Sequence, residues 1–341
     1  MSKTRFKSIF ADTLINVYFL LVPILYLMAP NDEVGKIQML SKWPQFLGLL
    51  GFSLGIAIVF ERLNLHSLGK LVAKVEKNYS AGVPLKGRIW LWQLSLFLVL
   101  TIFSSVVVTR LSINELFDKE GFAGAMRLFA GLLTPNFTIL PRVLIHITET
   151  IYTAFIASFV ALPISFLLSF VSARNLIPGR SGFLIYRILR LFLNLVRSVE
   201  PLIWAVIFSV WVGIGPFAGM LALLVHSVAS LTKQFSEIIE GAQRGPVQGI
   251  ESTGANPIQT IWFGVVPQVF LPFISFSIYR WDINVRMATV IGLVGGGGVG
   301  TMLIQYQGQA MWPEVGCIIF VIAMVVWIMD SISAHLREAL K

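Results

Sequence analysis

Arg280, Asp282, Asn284 and Arg286 stand at alternate positions in an otherwise apolar stretch. A charge costs free energy if it meets lipid, so these side chains must face a pore, a partner helix or water. Two chemistries fit. The planar, always-charged guanidinium groups of Arg280 and Arg286 match the oxygens of an anionic solute on a translocation path. The same residues also suit an internal Arg and Asp pair holding a bend, or arginines at the outer water boundary. Arg197 and Glu200 pose the same choice and read as a structural pair near an inner gate. Just downstream, Gly295, Gly296 and Gly297 allow irregular backbone and close helix packing beside such a path. Gly295-x-Gly297-x-x-Gly300 also has dinucleotide-fingerprint spacing, but it follows no predicted strand and opens no βαβ unit.

Other chemistries lack their residues. No G-x-x-x-x-G-K-[ST] phosphate loop occurs, so the chain cannot supply that ATP site, and energy must come from a partner or an ion gradient. His66, His146, His226 and His335 fall on different elements, against a metal cluster. His226-Ser227 lacks a plausible acid partner and reads as helix packing. Cys317, the only cysteine, lies in an apolar run, which excludes disulfides within one chain.

The one long polar interruption of the second half is 237–267. It reads as two short helices. Gly245-Pro246 has the form of an N-cap and a first-turn proline, Gly254 of a C′ residue, and Asn256-Pro257 of a second start. Ile258, Ile261, Trp262 and Val265 recur at i, i+3, i+4 and i+7, which leaves one apolar face for docking.

The elements that position these residues are membrane spans. Of 341 residues, 56% are hydrophobic and 13% charged, with a mean hydropathy of +0.80, the signature of an all-α polytopic membrane protein. The net charge of +9 marks cytoplasmic loops in this class, not nucleic-acid binding. Spans are expected at about 14–29, 44–60 and 90–109, then 143–171, 184–212, 217–231, 268–286 and 315–329. An amphipathic segment lies on the outer surface near 112–141, around Met126, Leu128, Phe129 and Leu132. The segment 288–302 is read as a pore-side bend, which makes about eight spans. Gly48, Gly51 and Gly55 have spacing that permits close helix approach. Basic clusters, including Arg174, Arg180, Arg187 and Arg190, put both termini on the cytoplasmic side.

Gly254 and Pro267 lie 13 positions apart, which resembles the EAA loop of permease subunits of bacterial ABC importers. Gln248-Gly249-Ile250 occupies the E-A-A positions and Gly264-Val265-Val266-Pro267 the I-x-L-P positions. Gln248 stands where that family has glutamate, so docking should rest on helix shape, Gly254 and the apolar face. The surrounding residues are similar to phosphonate permease subunits (PhnE-like): Gly213 onward to Gly219, His226-Ser227, Gly245-Pro246-Val247, Thr253-Gly254-Ala255, Pro267-Gln268-Val269, Tyr279-Arg280, Ile283-Asn284-Val285-Arg286, Ala288-Thr289-Val290 and the glycine run. The resemblance covers 143 to the C-terminus.

The resemblance implies a type I importer permease core over 141–341, preceded by a membrane extension over 1–140. The implied partners are a cytoplasmic ABC ATPase dimer that binds ATP and Mg, a second permease subunit, identical or homologous, and an external or periplasmic solute-binding protein. It further implies a multi-pass chain of the bacterial inner membrane that carries a phosphonate-like anion and holds no cofactor itself. Coupling to the ATPase would fall to Glu237, Glu240, Gly245, Pro246, Gln248, Thr253, Gly254, Ala255, Pro257 and Pro267. Phosphite, phosphate or organophosphate esters in the same importer type, or an ion-driven secondary transporter, are the alternatives.

Overall fold

A computed structural model describes residues 3–23, 43–63, 67–72, 89–109, 112, 114, 117–176 and 179–340. All regular elements among them are helices. The chain forms two compact units, 1–121 and 122–341, so the contact boundary falls earlier than the expected 140.

The first unit holds α1 (Lys3–Pro23), α2 (Trp43–Arg62), the short α3 (Leu68–Val72) and α4 (Ile89–Thr109). The three long helices have 20 or 21 residues, about 30 Å at 1.5 Å per residue, which matches a hydrocarbon core. The expected first span begins earlier than supposed, at Lys3, and its stretch 24–29 lies outside the described residues. Asp12 is buried and accepts hydrogen bonds from Ser67 Oγ and from Gly69 N at 2.8 Å. A buried carboxylate needs such partners, and here they tie α1 to α3. A Cβ on Gly48, Gly51 or Gly55 would meet nothing within 4 Å, so the small-residue face of α2 is not packed among the described residues.

The second unit begins within the first turn of α5 (Lys119–Leu133) and continues with a 3-10 turn (Phe137–Ile139). Asn136 fixes that turn by accepting from Thr138 N at 3.1 Å and donating to Glu314 at 2.9 Å. The amphipathic segment therefore belongs to this unit. The remaining helices are α6 (Leu140–Val171), α7 (Arg180–Ser198), α8 (Pro201–Val212), α9 (Pro216–Glu240), α10 (Arg244–Glu251), α11 (Pro257–Thr260), α12 (Val266–Gly292), α13 (Gly298–Gly308) and α14 (Trp312–Ala339).

Among the described residues, four stretches are long and apolar enough to cross a membrane: 137–171, 216–240, 257–292 and 312–339. The central pair, α6 and α9, meets through small residues. Ala154, Ala157, Ala161 and Ser165 on α6, with Ala218, Ala222 and Ala229 on α9, are fully or almost fully buried. In lipid, side chains this short let backbones approach and gain dispersion contact. Asn284 of α12 then joins both helices, its amide donating to Ser158 at 2.9 Å and to Ser227 at 2.8 Å.

The expected single span 184–212 is instead two helices bent by 89°. Val199 and Glu200 are extended, as the residue before a proline prefers, and Pro201 starts α8 because it lacks the N–H that would continue α7. At 12 residues, α8 spans only about 18 Å, too little for the hydrocarbon core by itself. α7 is amphipathic, with Leu184, Ile188, Leu191 and Leu195 exposed along one stripe. The expected bend at 288–302 is observed as a glycine turn into α13, whose 11 residues are also too short to cross.

Candidate functional site

The polar loop is built from two caps and one irregular turn. α10 starts one residue before Gly245, with Gln243 in the cap position, so Gly245 and Pro246 occupy its first turn and neither is the cap. Glu251 and Ile250 carbonyls accept from Gly254 N at 3.0 Å and Thr253 N at 3.1 Å, and Gly254 has φ +82°. Only glycine takes that left-handed corner at little cost. Asn256 caps α11 through a reciprocal box: its side chain accepts from Gln259 N and its own N–H donates to Gln259, both at 2.9 Å. Pro257 follows in the first turn. Gln248, Glu251, Ala255 and Pro257 line a hollow of about 490 Å³ beside Arg244.

The second helix of the loop is not separate. α11 runs through a π turn, Ile261–Val265, straight into α12, with Pro267 in the first turn of α12. Val266 N–H donates to Ile261 C=O, five residues back. The wider turn spoils the expected apolar stripe, because it shifts the phase of every residue beyond it. Ile258 and Trp262 remain 78% and 58% exposed, whereas Val265 is buried at 1%. Gly264 lets α10 pack close to the turn: a Cβ there would lie 3.3 Å from Val247 Cα.

Gln268 and Arg190, which the spacing argument did not single out, hold the loop together with Glu240. Gln268 accepts from Gln243 N at 2.9 Å and donates to Gly264 O at 2.6 Å, which clamps the start of α10 onto α12. Arg190 of α7 bonds Glu240 at 3.0 Å and reaches Glu237 at 4.0 Å. Glu240 also accepts from Arg174 N at 2.9 Å, so it anchors α7 and the end of α6 to α9. Glu237 is half-exposed and pairs with Lys233 at 3.7 Å.

On a helix the alternate spacing of the four polar residues becomes two i,i+4 pairs about 200° apart, at 100° per residue. One face carries Asp282 and Arg286. Arg286 binds Asp282 and, at 2.9 Å, Asp330 of α14, so this arginine is committed to an internal ion pair. The other face carries Asn284 and Arg280. Arg280 is 7% exposed, has no ion-pair partner among the described residues, and its Nε finds no acceptor. It borders a cavity of about 560 Å³ with Arg197, Lys233, His226, Asn194, Ser198 and Ser230. Arg197 and Glu200 do not form the expected pair: no ion pair joins them among the described residues, and Glu200 sits in the cap position of α8.

The glycines pack against the α8–α9 turn. Gly295 and Gly297 have φ +92° and +76°, Gly295 O accepts from Gly215 N at 2.8 Å, and Gly296 O lies 2.6 Å from where a Cβ on Gly219 would stand.

The family of binding-protein-dependent transport system inner membrane components matches residues 165–340, more than half of the chain. The chain belongs to that family. Among its relatives, the phosphite transport system permease protein PtxC of Stutzerimonas stutzeri is 34% identical over 65% of this chain and 80% of its own length. The phosphate-import permease protein PhnE of Mycolicibacterium smegmatis is 29% identical over 87% of this chain and 54% of that protein. The putative cryptic phosphonate transport system permease protein PhnE2 of Escherichia coli is 41% identical over 35% of this chain and 98% of its own length. For the fold, an inward-facing structure of the MetNI methionine ABC transporter superposes with a TM-score of 0.51 at 20% identity, over 60% of this chain and 99% of that one. The expected type I importer permease fold is thus observed. Family membership also makes the chain a transport subunit and not an enzyme.

Proposed function

We propose that this chain is the membrane-spanning subunit of an ATP-driven importer for phosphonates and the related small oxyanions phosphite and phosphate. The observation that carries the reading is the continuity of α11, the π turn and α12. One helical run leaves the capped loop at Pro257, passes Arg280 and ends at Gly292. Motion imposed on the loop therefore reaches a buried guanidinium along one unbroken helical run, through the π turn and past Pro272. The phosphorus oxyanions named for the relatives agree with that charge.

The loop from Gly245 to Pro267 docks in a cytoplasmic ATPase dimer, which binds ATP and Mg. Gly254, Gln248, Thr253 and Ala255 shape the docking surface. A second permease subunit completes the pathway, and a solute-binding protein outside the inner membrane delivers the solute. The chain's termini lie in the cytoplasm. Transport proceeds by alternating access, with ATP closing the ATPase pair.

The test is ATPase activity of the reconstituted complex with its cognate binding protein. Methylphosphonate, phosphite or phosphate should stimulate hydrolysis and methionine should not. Stimulation by methionine alone refutes the substrate class, and a tagged chain that brings down no ATPase from native membranes refutes the importer reading.

A further inference from the structure

We propose that the cavity between the C-terminal end of α7, the middle of α9 and Arg280 of α12 is an oxyanion site of the permease itself. The inference deepens the transport reading and rests on it. Solute recognition need not end at the external binding protein.

Two of the three cations in the cavity have no ion-pair partner among the described residues. Arg197, Lys233 and Arg280 all line it, and among the described residues the one acid bonded to any of them is Glu237, which holds Lys233 at 3.7 Å. Burying a guanidinium with a free donor is costly, and natural proteins keep such a group where a ligand or a partner completes it. Arg280 meets that description, with 7% exposure and an unpartnered Nε. The contrast with Arg286 is informative. Six residues further along the same helix, that arginine is neutralised by Asp282 and Asp330, so the fold supplies carboxylates to one arginine and withholds them from the other.

The neutral groups agree with a protonatable, oxygen-rich ligand. Ser198, Ser230 and Asn194 offer hydrogen bonds without adding negative charge. His226 approaches Val199 O through Nδ1 at 3.3 Å. A carbonyl only accepts, so Nδ1 carries the proton, and Nε2 remains for an acidic P–OH. Guanidinium and ammonium groups around one small cavity select a compact dianion or monoanion over a zwitterionic amino acid. The cavity thereby acts as a second checkpoint of charge, after the binding protein.

The test compares uptake of labelled methylphosphonate, phosphite and phosphate by ATP-loaded proteoliposomes holding the whole complex and its binding protein. Arg280→Gln and Arg197→Gln should each cut uptake about tenfold or more, the loss expected for one charge-assisted hydrogen bond. Subunit assembly should persist, and Arg280→Lys should recover part of the uptake. Normal uptake by Arg280→Gln and Arg197→Gln, beside an active wild type, overturns the site and leaves the transport reading intact. A wild type that carries none of the three ions overturns both. If Arg280→Gln prevents assembly, Lys233→Gln, on the cavity rim, carries the same expectation. Loss of the second permease subunit from all three variants would instead mean that the cations bind a partner's carboxylate, and would overturn the proposal.

Discussion

Gly254→Val is the sharpest probe of the loop. A Cβ at this position would meet no atom within 4 Å, so the substitution adds no clash. Its whole effect comes from the backbone, which sits at φ +82°. Forcing a β-branched residue into the left-handed region costs about 1–2 kcal/mol. That lowers the population of the native corner between α10 and α11 about 5- to 30-fold relative to alternatives. The remainder of the unit, held by α6, α9 and α12, is untouched, so membrane abundance and the thermal midpoint of the complex should stay at wild-type levels. Uptake and solute-stimulated ATPase activity should fall by up to that factor, the full loss being reached where the alternatives compete with the native corner. Gly254→Asn is the control, because asparagine visits that region more readily, and it should retain most of the activity. Equal activity of the Val and Asn variants refutes the backbone argument. Loss of the Val variant from the membrane would show that the corner is needed for folding and not for coupling.

Arg286→Met should destabilise the complex by about 3 kcal/mol, because it leaves buried Asp282 without its cation. A thermal unfolding series checks this, and Arg286→Met combined with Asp282→Leu should regain most of the loss. A single variant that melts with the wild type would refute it. Gly300→Ala places a methyl 2.7 Å from Gly292 Cα and should cost about 1–3 kcal/mol by overpacking. In contrast Gly245→Ala, which meets open space inside α10, should be neutral or slightly stabilising. The same unfolding series separates the two.

The long apolar helices of the second unit and the caps at Gly254 and Asn256 were legible because each is a local signal. The apolar runs need only their own composition, and Asn256 finds its partner Gln259 three residues away. The break between α7 and α8 was also written locally, in Glu200-Pro201 and in the stripe Leu184, Ile188, Leu191 and Leu195. Reading hydropathy over a long window hid it. The π turn was not legible, and the close approach of Val247 to Gly264 within it comes from another helix. Arg280 and Arg286 are chemically identical in the sequence. They differ because Arg286 has Asp282 one turn earlier on its own helix and Asp330, 44 residues further on, within 2.9 Å of it, while Arg280 has Asn284 one turn on and faces α9. Equally, only the fold brings Lys233 and His226 to the same cavity.

The solitary position of Arg280 also bears on electrical work. An anion entering a cell that is negative inside moves uphill by about 2.3 kcal/mol per charge for each 100 mV, or about twice that for a dianion. A fixed guanidinium cannot change this total, because it makes no net movement across the field. On the proposed path it lowers the stretch where the dielectric is low and the anion's own hydration is thinnest. The energy of hydrolysis then has to meet the voltage difference between the two sides, and not an additional peak between them.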